Sequence, residues 1–220
     1  MAALIAEFIG TFALIFIGAG SIIASPTAVG VMGTLVGIAL AHGLTIAAFG
    51  SATGHISGGH LNPAVTIAMI VTGRIDLVKG VSYIAAQVLG AIVAALLLNF
   101  AMPADLVAAV NLGTPLLGAK TGVFQGIVLE AITTSFLVFV IFGTAVDGRG
   151  PKMGALFIGF VVALDILAIG PLTGAAMNPA RSIGPALISG HLENFWVYWV
   201  GPIIGAVLAG LVYSTTLENA

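Results

Sequence analysis

The sequence predicts an all-α membrane protein, with six transmembrane helices and two re-entrant half-helices in an inverted repeat. Three observations carry this. Of the 220 residues, 60% are hydrophobic and only 6% are charged, where a soluble domain carries about 25% charged residues; mean hydropathy is +1.21. Six segments reach the roughly 20 apolar residues that a spanning helix needs. Finally, Asn-Pro-Ala occurs twice, as Asn62-Pro63-Ala64 and Asn178-Pro179-Ala180, within GHISGGHLNPAVTIA and GPLTGAAMNPARSIG. A spacing of 116 residues also pairs Gly54 with Gly170, Ser57 with Thr173, Gly58 with Gly174 and Ile67 with Ile183.

Span one is read at about 3–24. Its start, MAALIAEFIGTFALIF, has neither a positive n-region nor a small-residue cleavage site, so it reads as a span rather than a signal peptide. Span two is expected at about 31–51. A Gly-rich irregular stretch follows and ends at Asn62, an N-cap residue type, with Pro63 at the first helical position. The half-helix this starts, about 62–72, is too short to cross alone. Span three is expected at 77–101 and span four at 121–143. Span five, at 153–170, leads into the second irregular stretch and the second half-helix, 178–188. Span six is read at 193–214. Irregular backbone at membrane depth is tolerated only when buried in protein or lining a water-filled cavity. The two loops therefore already imply a cavity.

The duplication reaches beyond the half-helices. Span one (AEFIGTFALIF) and span four (LEAITTSFLVF) match Glu7 to Glu130, Thr11 to Thr134, Leu14 to Leu137 and Phe16 to Phe139. Spans three and six set Tyr83 against Tyr198 and GAIVAAL against GAVLAGL, whose small residues permit close helix contact. The chain, 1–220, thus reads as one channel domain with repeats at about 1–101 and 121–214. Basic residues orient it. Arg74 and Lys79 lie between spans two and three, Arg149 and Lys152 between four and five, and the other side offers only Lys120. The positive-inside rule makes both termini cytoplasmic. The half-helices then enter from opposite sides, as inverted repeats require.

Polar groups at membrane depth are costly and default to functional hypotheses. Asn62 and Asn178 can cap their half-helices and turn amide donors into the cavity. The half-helix N-termini add partial positive charge there. Such a level opposes cations and admits neutral hydrogen-bonding molecules. Arg181 is the one basic residue in an apolar half-helix; its fixed charge and donors suit a pore wall. Glu7 and Glu130 occupy equivalent places and read as buried structural carboxylates that take donors from the irregular loops. Asp165 has no counterpart in span two and could brace the second loop or line the outer mouth. His42, alone in an apolar helix, reads by itself as a structural residue. His55 and His60 suit either structural hydrogen bonding or a place at the mouth.

No histidine has a second ligand at helical spacing, so no metal site is expected. There is no nucleophile–base constellation and no phosphate-cradling loop, so the residues support neither enzyme activity nor a cofactor. A net charge of −2 without a basic tract gives no reason to expect nucleic acid. Cysteine is absent, which excludes disulfides.

SGGHLNPAVT and MNPARS, with a glutamate in spans one and four, resemble the aquaporin (major intrinsic protein) family over essentially the whole chain. The resemblance implies half-helices meeting at mid-membrane, one pore per subunit and a homotetramer. It also implies a four-residue selectivity filter, which by motif position falls on His42, Ile166, Ala175 and Arg181. That set resembles the plant tonoplast intrinsic group, whose members pass water and often ammonia, urea or hydrogen peroxide. Glycerol facilitators usually carry Asp and a second Arg where this chain has Ser182 and Ala186. The expectation is therefore a passive channel for water and small neutral solutes such as ammonia, excluding protons and ions. It would be a multi-pass protein of the cell inner or plasma membrane. A glycerol or urea facilitator is the alternative, and a secondary transporter a more distant one.

Overall fold

The structure, a computed structural model, describes residues 1–218 apart from the side chain of Met32. Among the described residues nine α-helices succeed one another: α1 (Ala2–Ala24), α2 (Leu35–Ser57), α3 (Pro63–Val71), α4 (Leu77–Ala101), α5 (Ala104–Ala109), α6 (Val123–Ile141), α7 (Gly154–Thr173), α8 (Pro179–Ser189) and α9 (Val197–Val212). Turns at Phe142–Val146 and Tyr213–Leu217 prolong α6 and α9. Six helices among the described residues are long and apolar enough to span a bilayer, namely α1, α2, α4, α6, α7 and α9 with their extensions. The short helices α3 and α8 have 9 and 11 residues. At about 1.5 Å per residue they measure about 13 and 16 Å, so only end to end do they match a hydrocarbon core of about 30 Å.

The helices group as the repeat demands. α1 packs on α2 and α4, while α6 packs on α7 and α9. The two groups join where α2 crosses α7. That crossing is made at Gly43 and Gly159, where a methyl group on either residue would strike the other's carbonyl oxygen. These residues are themselves 116 apart, so the halves meet at matched positions. The small residues of the third and sixth spans serve the same end: Gly90 sits against the backbone of α1 at Phe8, and Gly205 against that of α6 at Ala131.

The spans preceding the half-helices run further than the sequence reading. Instead of ending at about 51 and 170, α2 and α7 continue to Ser57 and Thr173. Glycine alone does not end a helix whose backbone bonds remain available. The stop comes at Gly58 (φ 97°) and Gly174 (φ 82°), left-handed caps whose N–H groups bond to the carbonyls of Gly54 and Gly170. At its start, α2 begins four residues later than expected, because 3₁₀ turns occupy Ser25–Thr27 and Gly30–Gly33. Helix α5, in the connection after α4, was not anticipated.

Arg74 forms an ion pair with Glu218, and Arg149 donates to the Leu217 carbonyl at 2.8 Å. The two basic connections therefore lie on one face with the C-terminal turn. The segment 113–116 and the N-terminal end of α2 line one cavity together, away from that face.

Candidate functional site

Each half builds the same support around a buried carboxylate. Glu7 (0% exposed) accepts at Oε1 from the Ser57 hydroxyl (2.6 Å) and the His60 N–H (2.9 Å), and at Oε2 from the Leu61 N–H (2.7 Å) and Gln87 Nε2 (2.7 Å). Glu130 (0% exposed) accepts at Oε1 from the Thr173 hydroxyl (2.7 Å) and the Ala176 N–H (3.0 Å), and at Oε2 from the Met177 N–H (2.7 Å). Tyr83 and Tyr198 close the two arrangements by donating to the carbonyls of Ser57 and Thr173, at 2.9 and 2.8 Å.

These bonds hold an unfavourable backbone. Leu61 (φ 50°) and Met177 (φ 51°) are left-handed non-glycine residues, a conformation costing about 1–2 kcal/mol each. With their N–H groups held by the glutamates, their carbonyls turn toward the opposite half. Asn62 Nδ2 donates to the Met177 carbonyl at 2.9 Å, and Asn178 Nδ2 donates to the Leu61 carbonyl at 2.9 Å. The asparagine Oδ1 atoms cap the half-helices: Asn62 accepts from Ala64, and Asn178 from Ala180 and Arg181. Pro63 and Pro179 take the first helical positions. Ala64 and Ala180 are fully buried. One amide hydrogen of each asparagine is thus spent on the cross-link, leaving one apiece for the cavity that both residues line.

Three cavities follow one another through the molecule. The central one, of about 190 Å³, is lined among others by His60, Asn62, Met69, Ile158 and Asn178. It shares Ile46, Gly58 and Ala145 with a wider vestibule of about 540 Å³ on the basic face, beside Pro151 and Lys152. Toward the opposite face it shares His42, Ile166 and Arg181 with a third cavity of about 260 Å³. Those three residues form the partition between the two spaces, and Ala175 lines the central one beside them.

Arg181 (4% exposed) donates from Nη1 to the Gly113 carbonyl at 3.0 Å, while its Nε has no protein partner. His42 (3% exposed) has Nδ1 2.9 Å from the Ile38 carbonyl. A carbonyl can only accept, so the proton sits on Nδ1 and Nε2 is an acceptor, which has no protein partner. Asp165 is buried with Oδ2 unpartnered and lines none of the three cavities. His60 Nδ1 lies 3.1 Å from the Thr66 hydroxyl, which also receives Gln87 Nε2. His55 is exposed. On the basic face, Arg149 binds Asp147 through Nε and Nη2 and through its backbone N–H, holding that carboxyl well below the usual carboxylate range.

Several residues of this arrangement escaped sequence reasoning. Gln87 and Gly113 have no counterparts in the repeat that would mark them, and the pairing of Thr66 with Ser182 does not tell that Thr66 receives Gln87. Ser57–Thr173 and Tyr83–Tyr198 are visible as matched pairs, but nothing in the pairing tells that they serve the glutamates and the loop carbonyls.

Comparison with known proteins follows the same lines. The family model described as Major intrinsic protein matches residues 1–213. The chain is 48% identical over 219 residues to "Aquaporin TIP4-4" of Zea mays, covering 96% of this chain and 84% of that protein. It is 43% identical to "Aquaporin TIP2-3" of Arabidopsis thaliana, covering 96% and 85%. Its fold is similar to the X-ray structure of the aquaglyceroporin from Plasmodium falciparum, with a TM-score of 0.89, 26% identity and coverage of 98% and 96%. A chain matched by this family over residues 1–213, with six spans and two half-helices in an inverted repeat, is a multi-pass membrane channel of the major intrinsic protein family, related to the tonoplast intrinsic aquaporins.

Proposed function

We propose that this chain conducts water and small neutral solutes such as ammonia, and excludes protons and ions. The observation that carries this is the crossed asparagine pair lining a cavity that continues toward both faces. Two half-helix N-termini present partial positive charge at one level, and each asparagine has one amide hydrogen left to offer. A cation, or a proton passing along a water file, meets an electrostatic barrier there, whereas a neutral molecule exchanges one hydrogen bond for another. The wall below and above is largely apolar (Val65, Met69, Leu137, Ile141, Ile158, Val162), so a permeating molecule is held at few points.

His42, Ile166, Ala175 and Arg181 are the proposed filter. Arg181 supplies fixed charge and free donors; His42 supplies the bulk of its ring, whose Nε2 is turned toward Gly18; Ile166 and Ala175 supply apolar wall. A wall with one apolar side discriminates less against ammonia, which is close to water in size. A glycerol-type channel is the second reading, favoured by the likeness to the aquaglyceroporin; Ser182 and Ala186 support the water-type reading instead. A secondary transporter would need a titrating carboxylate in the path; Glu7 and Glu130 are already taken up by four and three donors, and Asp165 lines none of the three cavities.

The channel works as one domain of two repeats, about 1–101 and 121–214, with both termini cytoplasmic by the positive-inside rule and the subunits in a homotetramer, as the family resemblance implies. The relatives are of tonoplast intrinsic type and lend no support to a plasma-membrane location. Flux assays on proteoliposomes comparing water, ammonia, urea and glycerol test the assignment; glycerol flux exceeding that of ammonia would favour the second reading.

A further inference from the structure

We infer that Gly18 is a specificity-determining residue, because it gives the His42 ring the space to lie against the first span instead of in the pore. An ideal methyl group at Gly18 would come within 2.5 Å of His42 Nε2, 2.6 Å of Cδ2 and 3.0 Å of Cε1. Three ring atoms would be met at once, and none belongs to a flexible chain end. The ring has little room to retreat. Its Nδ1 is fixed by the Ile38 carbonyl at 2.9 Å, and the side chain is 3% exposed. The open space beside it is the lumen, since His42 lines both the central cavity and the one beyond. Any side chain at 18 therefore drives the imidazole into the partition it forms with Ile166 and Arg181.

The repeat supplies an internal comparison. By the spacing that pairs Glu7 with Glu130, Gly18 corresponds to Ile141; by the 116-residue spacing, His42 corresponds to Ile158. Both isoleucines line the central cavity. One half thus sets two branched chains at the lumen, while the other combines a large ring with no side chain. The relation is steric and rests on the filter reading only for its effect on solutes.

The test is a mutant cycle in proteoliposomes with Gly18→Ala, His42→Ala and both together, measuring water and urea permeability and the thermal midpoint of the detergent-solubilised protein. Water permeability of Gly18→Ala is expected to fall about tenfold, and the double variant to match His42→Ala in both flux and midpoint. Should Gly18→Ala fail to fold, recovery of folded protein in the double variant is the expected result. A Gly18→Ala channel that conducts like the unaltered one, or a loss that persists in the double variant, overturns the inference. The filter reading is separable. If His42→Ala keeps the original water-to-urea ratio while still reversing the Gly18→Ala loss, the steric relation stands and the filter role of His42 does not.

Discussion

Asn62 and Asn178 each donate an amide hydrogen to the carbonyl of the residue preceding the other, at 2.9 Å in both directions. The two half-helix starts are therefore locked by a reciprocal pair of bonds, and neither can shift without exposing a buried carbonyl. The pair positions the remaining amide hydrogens and two helix N-termini at one level. In the proposed channel this level is the barrier to cations, because fixed donors and positive dipole ends face the path there.

Asn178→Asp tests that step. The carboxylate cannot donate to the Leu61 carbonyl, and leaving a buried acceptor unpaired costs about 1–3 kcal/mol. It also places a negative charge where the barrier to cations stands. The expected outcome is a lower thermal midpoint and a sodium conductance in planar bilayers that the unaltered channel lacks. Unchanged ion exclusion would count against the role given to the amide.

The glutamates act as braces. In Glu130→Gln one acceptor becomes a donor, and whichever way the amide turns, it opposes an N–H or hydroxyl among Thr173, Ala176 and Met177. Destabilisation of about 1–3 kcal/mol is expected, read as a lowered thermal midpoint, while correctly folded channels still pass water. Glu7→Gln should cost at least as much, since Glu7 holds four donors. A proton gradient should drive no solute accumulation in the unaltered protein; uphill accumulation would turn these carboxylates from braces into coupling groups.

Ile166→His restores a hydrogen-bonding group to the partition. Ammonia flux, followed by internal alkalinisation in an ammonium gradient, is expected to drop more than water flux. Equal loss of both would remove Ile166 from solute selection.

The Asp147–Arg149 pair predicts a pH effect confined to acid. Because Arg149 lowers the Asp147 pKa in the folded state, the stabilisation is fully present above the unfolded carboxyl value of about 4 and is lost as pH falls below that value toward the folded one. Thermal midpoints should show no pH dependence from this group between pH 5 and 8 and a fall below about pH 4. Asp147→Asn should be less stable at neutral pH and lack that share of the acid fall. An identical acid limb in both proteins would show that the pair does not couple to folding.

Much of this architecture is legible in the sequence, because the half-helices are marked by local chemistry: an N-cap residue followed by proline, at a fixed repeat spacing. Glu7 and Glu130 are legible as carboxylates that must find donors. Which donors they find is not, since Gln87 is 80 residues away from Glu7 and its contact depends on how α4 lies on α1. The ends of α2 and α7 lie beyond the expected 51 and 170, because the glycine-rich stretch stays helical until the left-handed conformation arises at Gly58 and Gly174. The Gly18–His42 contact is likewise invisible along the chain, because a glycine's neighbour across a helix interface leaves no local pattern.

The most direct test of the account is stopped-flow light scattering on proteoliposomes under an osmotic gradient, recorded over a range of temperatures. The account predicts shrinkage faster than that of empty liposomes, with a low activation energy and no accompanying ion conductance. Shrinkage no faster than empty liposomes, with the high activation energy of passage through lipid, would contradict it.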